Sequence, residues 1–404
     1  MGRVRDIVHR QLWRRIPRSL RRSAITGAVN LLYPAAHAAA AGAPVTVVGE
    51  LSSASGLGES ARLCHGALQA AGVTVNGIDI ARRLLADQNF SNFAFTSPGP
   101  RERGSMVVHV NPFPLPIAVP SIGRARLRAK RVVGYFAWEL ERPPEIWRKG
   151  VRYVDEIWVP SHFSADALAP IAGGRVLRVM AHPVALNDRF GSKSCQNRAA
   201  SRPFTVLTIF NMRSSFARKN PLATIEAFRA AFGASRDHRL IIKVLNGSTF
   251  PEGWRQLQKA SVAPNINILD GHVSAHAMNA LYLGSDIVAS LHRSEGFGLL
   301  AAEAMLAGRA VVATDFSGTR DFLNAENGVP IPFRLVPARD PQGEYDMPAC
   351  MWAEPEIDAA IDAFRRLAED ESFCRRLGER ARSDALTHFD PGRYARAAAS
   401  ALDL

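Results

Sequence analysis

The densest chemistry in the chain lies in the run His292-Arg293-Ser294-Glu295-Gly296-Phe297-Gly298-Leu299-Leu300-Ala301-Ala302-Glu303-Ala304-Met305. Glu295 stands in a glycine-flanked loop, and Glu303 follows with seven residues between, in a stretch that is otherwise apolar. An unpartnered buried carboxylate costs on the order of several kcal/mol, so Glu303 either caps or faces solvent, or it meets donor hydroxyls such as those of a ribose. A second run, Phe210-Asn211-Met212-Arg213-Ser214-Ser215-Phe216-Ala217-Arg218-Lys219-Asn220-Pro221, carries a planar guanidinium fork at Arg213 and a point charge at Lys219. Such a pair suits the two phosphates of a diphosphate, against the alternative of solvated surface cations. A third run, Glu50 to Ser60, holds Gly56 and Gly58. Glycines there let backbone N–H groups approach an anion at a helix start, or simply make a tight turn. The third glycine of a dinucleotide fingerprint is missing and Asp79 is only loosely placed to meet a ribose, which leaves an oxidoreductase as the alternative reading.

These three runs need elements to hold them. From residue 44 short β-branched runs alternate with helical ones, the pattern of a parallel sheet wrapped by helices. The spacing predicts strands at 45–48, 73–78, 106–110, 131–136, 156–159 and 176–180, with helices at 59–71 and 161–169. After an aperiodic polar stretch the alternation restarts, with strands at 204–210, 240–245, 266–269, 286–290 and 310–313 and helices at 221–232, 252–260, 274–283 and 299–307. The organisation expected is a basic arm over 1–43, a first Rossmann-like domain over 44–186, a linker over 187–203 and a second such domain over 204–389. A terminal helix over 390–404 would cross back to the first domain. Ligands of doubly wound sheets sit at the carboxyl ends of strands, where all three runs fall.

The 404 residues are 47% hydrophobic and 22% charged, which excludes disordered, collagen-like and polytopic membrane classes. Cys64, Cys195, Cys350 and Cys374 form no CxxC pair, so neither a zinc ribbon nor a disulfide framework is expected and a reducing, cytoplasmic setting is. The net charge of +13 is uneven: residues 1–22 hold eight arginines and one acid. Among them Val4, Ile7, Val8, Leu12, Trp13 and Ile16 recur at helical spacing, as in a helix lying on an anionic membrane face. A disordered basic arm, an over-long start and a nucleic-acid arm are the other readings; no basic stripe continues later, so no nucleic-acid partner is expected. No uninterrupted apolar run long enough to span a bilayer is present.

The run SEGFGLLAAEAMLAGRAVVATDFSG, with Glu295 and Glu303, resembles the Glu-x7-Glu signature of retaining family-4 glycosyltransferases, glycosyl transferases group 1, of the GT-B fold. The 213–219 segment is similar to that family's diphosphate-gripping element, and residues 134–168 resemble a subgroup common in bacterial polysaccharide assembly. The resemblance implies an α/β architecture of two Rossmann-like domains about a cleft. It implies a nucleotide-diphosphate sugar donor, with GDP-mannose favoured, and a saccharide or polyprenyl-linked acceptor in surface-polysaccharide synthesis at the inner face of the plasma membrane. It assigns the diphosphate to Arg213 and Lys219, with Arg218 also in the donor site, the sugar hydroxyls to Glu295 and the ribose to Glu303. Val273 would lie by the base, Gly56 and Gly58 would close over the phosphates, and Gly296, Phe297, Gly298, Leu299 and Leu300 would line the donor site. Many members place a histidine after the strand at 131–136; this chain has Trp138 and Glu139. Glu139 then either orients the acceptor or takes its proton, or pairs with Arg142. His109, Asn111 and Trp138 are further acceptor-side candidates, His109 reading equally as a core histidine. No cofactor and no metal are expected, since no Asp-x-Asp triplet occurs. A GT-B sugar epimerase and a nonenzymatic nucleotide-sugar or membrane-binding protein complete the alternatives.

Overall fold

In the computed structural model the described residues are 27, 29, 31–33, 35, 39, 41–84, 86, 93–184 and 202–404. The arginine-rich residues 1–22 of the predicted basic arm, and most of the predicted linker, lie outside them.

Two parallel six-stranded sheets form the frame. The first contains β1 (Val45–Gly49), β2 (Val75–Asp79), β3 (Gly104–Val108), β4 (Lys130–Tyr135), β5 (Glu156–Val159) and β6 (Val176–Val179), in the order β2-β1-β3-β4-β5-β6. The second contains β7 (Phe204–Asn211), β8 (His238–Leu245), β9 (Ile266–Asp270), β10 (Ile287–Ser290), β11 (Ala310–Thr314) and β12 (Val329–Ile331), in the order β12-β11-β10-β7-β8-β9. β1, β3 and β11 are buried at every residue, which is why they read as unbroken apolar runs rather than alternating ones: helices cover both faces of a parallel sheet. Strand order reverses at β1/β3 and at β7/β10, and the crevices outside those strand ends are where doubly wound sheets take ligands. The three chemistry-bearing runs follow β1, β7 and β10.

Every predicted strand and helix is present, with ends displaced by one or two residues in most cases and by three at the start of the first helix, which begins at Gly56. Ser55 caps it, its Oγ accepting from the Gly58 N–H at 3.0 Å, so the helix opens inside the glycine loop rather than after it. Several elements lack a sequence-level counterpart. The helices Ile357–Glu369 and Glu371–His388 wrap the second sheet, contributing Phe364, Leu367 and Leu377 to its core. An antiparallel hairpin, β13 (Phe333–Pro337) and β14 (Met351–Pro355), lies outside both sheets.

Two crossings tie the halves together. The terminal helix Pro391–Ala401 packs on the helix Gly56–Ala70, placing Tyr394, Ala398 and Leu402 in one cluster with Leu68 and Val47. Running the other way, the segment 338–350 between β13 and β14 sends Ala338, Tyr345 and Cys350, with Trp352 of β14, into the first half's core beside Trp138, Leu140 and Trp147. Hydrogen bonds lock this strap to the β7 loop, Phe216 N–H donating to Gln342 Oε1 at 2.6 Å and Gln342 Nε2 to the Met212 carbonyl at 2.8 Å. Among the described residues no helix is long and apolar enough to cross a membrane.

Candidate functional site

A cavity of 570 Å³ opens between the two halves at the carboxyl ends of β1, β7 and β10. Glu50, Gly56, Asn111, Glu139 and His182 line it from the first half, and Arg213, Arg218, Lys219, Glu295 to Leu300, Glu344 and Tyr345 from the second. A neighbouring cavity of 320 Å³ shares Gly56, Asn211, Lys219, Leu299 and Leu300 and continues to Val273, Tyr282 and Glu303.

Glu295 is its electrostatic centre. The residue is 8% exposed, with Lys219 Nζ 2.5 Å and Arg218 Nη1 3.3 Å from its carboxylate oxygens. Burial works to raise its pKa, but Lys219, Arg218 and His292 overcome it and hold the group down at about 2. The loop carrying it is fixed through its backbone: Glu295 N–H donates to Ser317 Oγ at 2.8 Å, and the Glu295 carbonyl accepts from Gly318 N–H at 2.9 Å. Across the cleft the Ser161 hydroxyl donates to the Gly296 carbonyl at 2.6 Å, and the Ser294 hydroxyl to the Glu139 carbonyl.

Gly298 caps the helix Leu299–Leu306 in the left-handed region, at φ +103° and ψ +52°. A Cβ there would lie 2.4 Å from Thr319 Cγ2. Gly298→Ala therefore combines backbone strain with a steric clash, and should lower unfolding free energy by about 2 kcal/mol or more, read as a lower denaturant midpoint. Beyond this turn, Leu299 and Leu300 at the helix start line both cavities.

The β7 loop divides its cations by task. Arg218 is 2% exposed and spends its guanidinium on two backbone carbonyls, Ser294 at 2.8 Å and Ser214 at 2.9 Å. It also lies 3.8 Å from Glu139 and 4.9 Å above the Tyr345 ring. Arg218 thus braces the Glu295 loop while still lining the cavity, beside the half-buried Lys219 and the exposed Arg213. Ser215 holds φ +64°, an uncommon conformation for a residue with a side chain, and its Oγ accepts from the Arg218 N–H at 3.1 Å.

The other expectations divide in the same way. Gly56, Asn111, Val273, Glu303 and 296–300 line one cavity or the other. Asn111 Oδ1 accepts from the Ala137 N–H at 2.9 Å and so holds the loop after β4. Glu303 has a protein donor, the Tyr282 hydroxyl at 2.6 Å, which accounts for its position on an apolar helix. Gly58 lines neither cavity; a Cβ there would meet the Glu50 carbonyl at 2.6 Å, so it is a close-packing glycine. Trp138 is buried, its Nε1 donating to the Arg142 carbonyl at 2.9 Å and its ring stacked on Tyr345 at 5.2 Å. His109 is a core residue, stacked on Tyr135 at 4.6 Å with Nδ1 2.8 Å from Ser60 Oγ. Neither belongs to the cleft surface. Glu139 does, but its partners are Arg218 and the Tyr345 hydroxyl, which donates to it at 2.9 Å, rather than Arg142. Asp79, the loose dinucleotide candidate, accepts from the Ser52 hydroxyl at 2.6 Å and so pins the β1 loop.

Sequence reading missed His182, Glu344 and Tyr345. His182 follows β6 at the carboxyl end of a strand, and that placement was the available signal. Glu344 and Tyr345 lie in the 338–350 strap, where no periodicity marks them. Glu344 is exposed as a residue and lines the cavity. Desolvation and the nearby Glu139 raise it to about 7, against Arg218. A folded-state pKa above the ordinary 4.5 means stability is full below that value and falls as pH rises through 4.5 to about 7. Glu344→Gln should remove that loss, so its melting temperature should gain on wild type between pH 5 and pH 8.

Two doubly wound parallel sheets facing a cleft, with charged loops from both halves meeting over it, define the GT-B class of α/β fold. Residues 203–346, which carry the β7 and β10 loops, match the family described as Glycosyl transferases group 1. A trehalose synthase of Rubrobacter xylanophilus is 25% identical over 177 residues, 42% of this chain and 37% of that protein. The chain thus spans well under half the length of this curated relative. Among solved structures, Anabaena HepE in complex with UDP-glucose superposes with a TM-score of 0.62 at 15% identity, covering 89% of this chain and 99% of that one. Sucrose-phosphate synthase of Thermosynechococcus elongatus gives 0.61 at 15% identity, covering 89% and 98%. TarM gives 0.54 at 13% identity, covering 74% and 55%.

Proposed function

We propose that the chain is a retaining glycosyltransferase moving a sugar from a nucleotide-diphosphate donor to a saccharide or lipid-linked acceptor. The observation that carries the proposal is the ionised, buried Glu295 beside Lys219, set in a cavity between the glycine loop of one half and a helix start of the other. The chemistry follows from the charges. Breaking the glycosidic bond leaves two negative charges growing on the diphosphate. Lys219, Arg213 and the N–H groups of Leu299 and Leu300 are positioned to stabilise them, the role a divalent cation plays where metal is used. Glu295, held ionised, accepts hydrogen bonds from the transferred sugar and favours the positive charge that develops at its anomeric carbon. The second cavity, ending at Glu303 and Val273, takes the ribose and base. The acceptor hydroxyl attacks on the face the diphosphate leaves, and its proton passes to the departing phosphate oxygen. No carboxylate nucleophile is required.

Donor identity rests on two supports that differ. The sequence resemblance favours GDP-mannose, whereas the fold neighbour HepE was crystallised in complex with UDP-glucose, so both belong in the assay. Incubation with UDP-glucose and GDP-mannose, with EDTA or magnesium, tests the proposal by release of nucleoside diphosphate and by the anomeric configuration of the product. Release unchanged by EDTA, with the donor's configuration kept, is expected. An inverted product would contradict the retaining mechanism, and strict magnesium dependence would contradict the role given to Lys219 and Arg213.

A further inference from the structure

Among the described residues three buried histidines sit in the first half, and of these only His182 lines the cavity. His65 and His109 each keep an unpartnered Nε2 inside the core, where no ligand reaches it. His182, 5% exposed, stands just beyond β6 with its ring edge-on to Phe297 at 4.7 Å, inside the Glu295–Leu300 run.

Its protonation is fixed by the phenol behind it. Tyr135 has one hydroxyl proton and donates it to the Met180 carbonyl at 2.8 Å. The phenol oxygen is therefore left to accept, and His182 Nδ1, 3.1 Å away, is the donor. Burial keeps the imidazole neutral down to about pH 3, so the remaining nitrogen carries a lone pair and no proton. No described residue hydrogen-bonds that nitrogen. Unlike the sealed Nε2 atoms of His65 and His109, it belongs to a ring on the cavity wall, and an acceptor there that a bound ligand strips of water calls for a donor from that ligand.

We propose that His182 is a positioning residue whose Nε2 accepts a hydrogen bond from a hydroxyl of the donor's sugar, the Tyr135–Met180 pair locking the tautomer that makes this possible. This rests on the proposed glycosyltransferase reading and adds a selectivity to it. A sugar presenting a hydroxyl at this point is held, while a deoxy position leaves Nε2 desolvated and unpaired, which is how a polar site rejects an analogue. Because the ring is too weakly basic to take a proton near neutrality, it orients the sugar and does not deprotonate it.

His182→Phe keeps a ring against Tyr135 and Phe297, and Tyr135 still has the Met180 carbonyl, so the fold should survive. The test is calorimetric: whichever of UDP, GDP, ADP and dTDP binds wild type is titrated into both proteins, followed by its glucose ester. The expected result is an unchanged nucleoside-diphosphate Kd and an about tenfold weaker Kd for the sugar ester, the size of one lost hydrogen bond. Histidine 15N shifts should show His182 protonated at Nδ1 in wild type and a mixed tautomer in Tyr135→Phe. Equal weakening of both ligands, no weakening of either, or an Nε2-protonated ring would overturn the proposal while leaving the transferase reading standing. Failure of wild type to bind any of the four would instead remove the transferase reading, and this proposal with it.

Discussion

Glu295→Gln is expected to lower kcat/KM for sugar transfer by about a thousandfold, the scale seen when one preorganised electrostatic group is lost from a water-excluded site. The substitution keeps the shape and one acceptor oxygen but removes the charge. It should also destabilise the chain by about 2 kcal/mol, since the half-buried Lys219 loses its counter-ion while Arg218 keeps Glu139 at 3.8 Å. The two losses separate by pH. Glu295 titrates at about 2 in the folded chain, below its ordinary 4.5, so the stability it contributes is complete above 4.5 and lost as pH falls toward 2. The variant should lack that acid-dependent component. Binding of a nucleoside diphosphate without sugar should hold or tighten, because Lys219 is no longer shared with a carboxylate. Near-wild-type turnover in a folded Glu295→Gln protein would show that the carboxylate serves the fold alone.

Lys219→Met should have the next largest effect. A charge-assisted contact to phosphate contributes about 1.5–3 kcal/mol, so the Kd for nucleoside diphosphate should rise roughly 10- to 150-fold. kcat should fall further, by about a hundredfold, because the same ammonium meets charge that grows only as the bond breaks. Lys219→Arg should recover little, since the fork is longer and Arg218 already fills the buried space behind it. Arg218→Lys tests the division of labour between the cations. With its guanidinium spent on the Ser294 and Ser214 carbonyls, Arg218 should register chiefly in melting temperature and only secondarily in nucleotide affinity.

The strands and the three chemistry-bearing loops were legible because a parallel sheet covered on both faces writes itself as apolar, β-branched runs, and its ligand loops must follow them. Glu295, Lys219 and Gly298 were found on that basis, and the structure brings them to one cavity. Trp138 was misplaced, and His109 was left open between cleft and core, for a physical reason: a polar residue at a strand end points either to the cleft or beneath it, and spacing does not report which. Tyr135 takes the stacking face of His109, and Tyr345 that of Trp138, so both are sealed below the surface. The strap 338–350 was invisible because its docking depends on the distant Trp138, Leu140 and Trp147, which no local pattern records. His182 was missed although its place after β6 is the same strand-end signal that identified the others.

The most direct test of the central claim is a thermal-shift series with UDP, GDP, ADP and dTDP, each with magnesium and with EDTA, because a ligand that binds only the folded chain must raise its melting temperature. The account predicts that one nucleotide raises it by the same amount in both conditions, and that Lys219→Met abolishes the rise. No shift with any of the four, or a shift that survives in Lys219→Met, would contradict a diphosphate site built on the β7 loop.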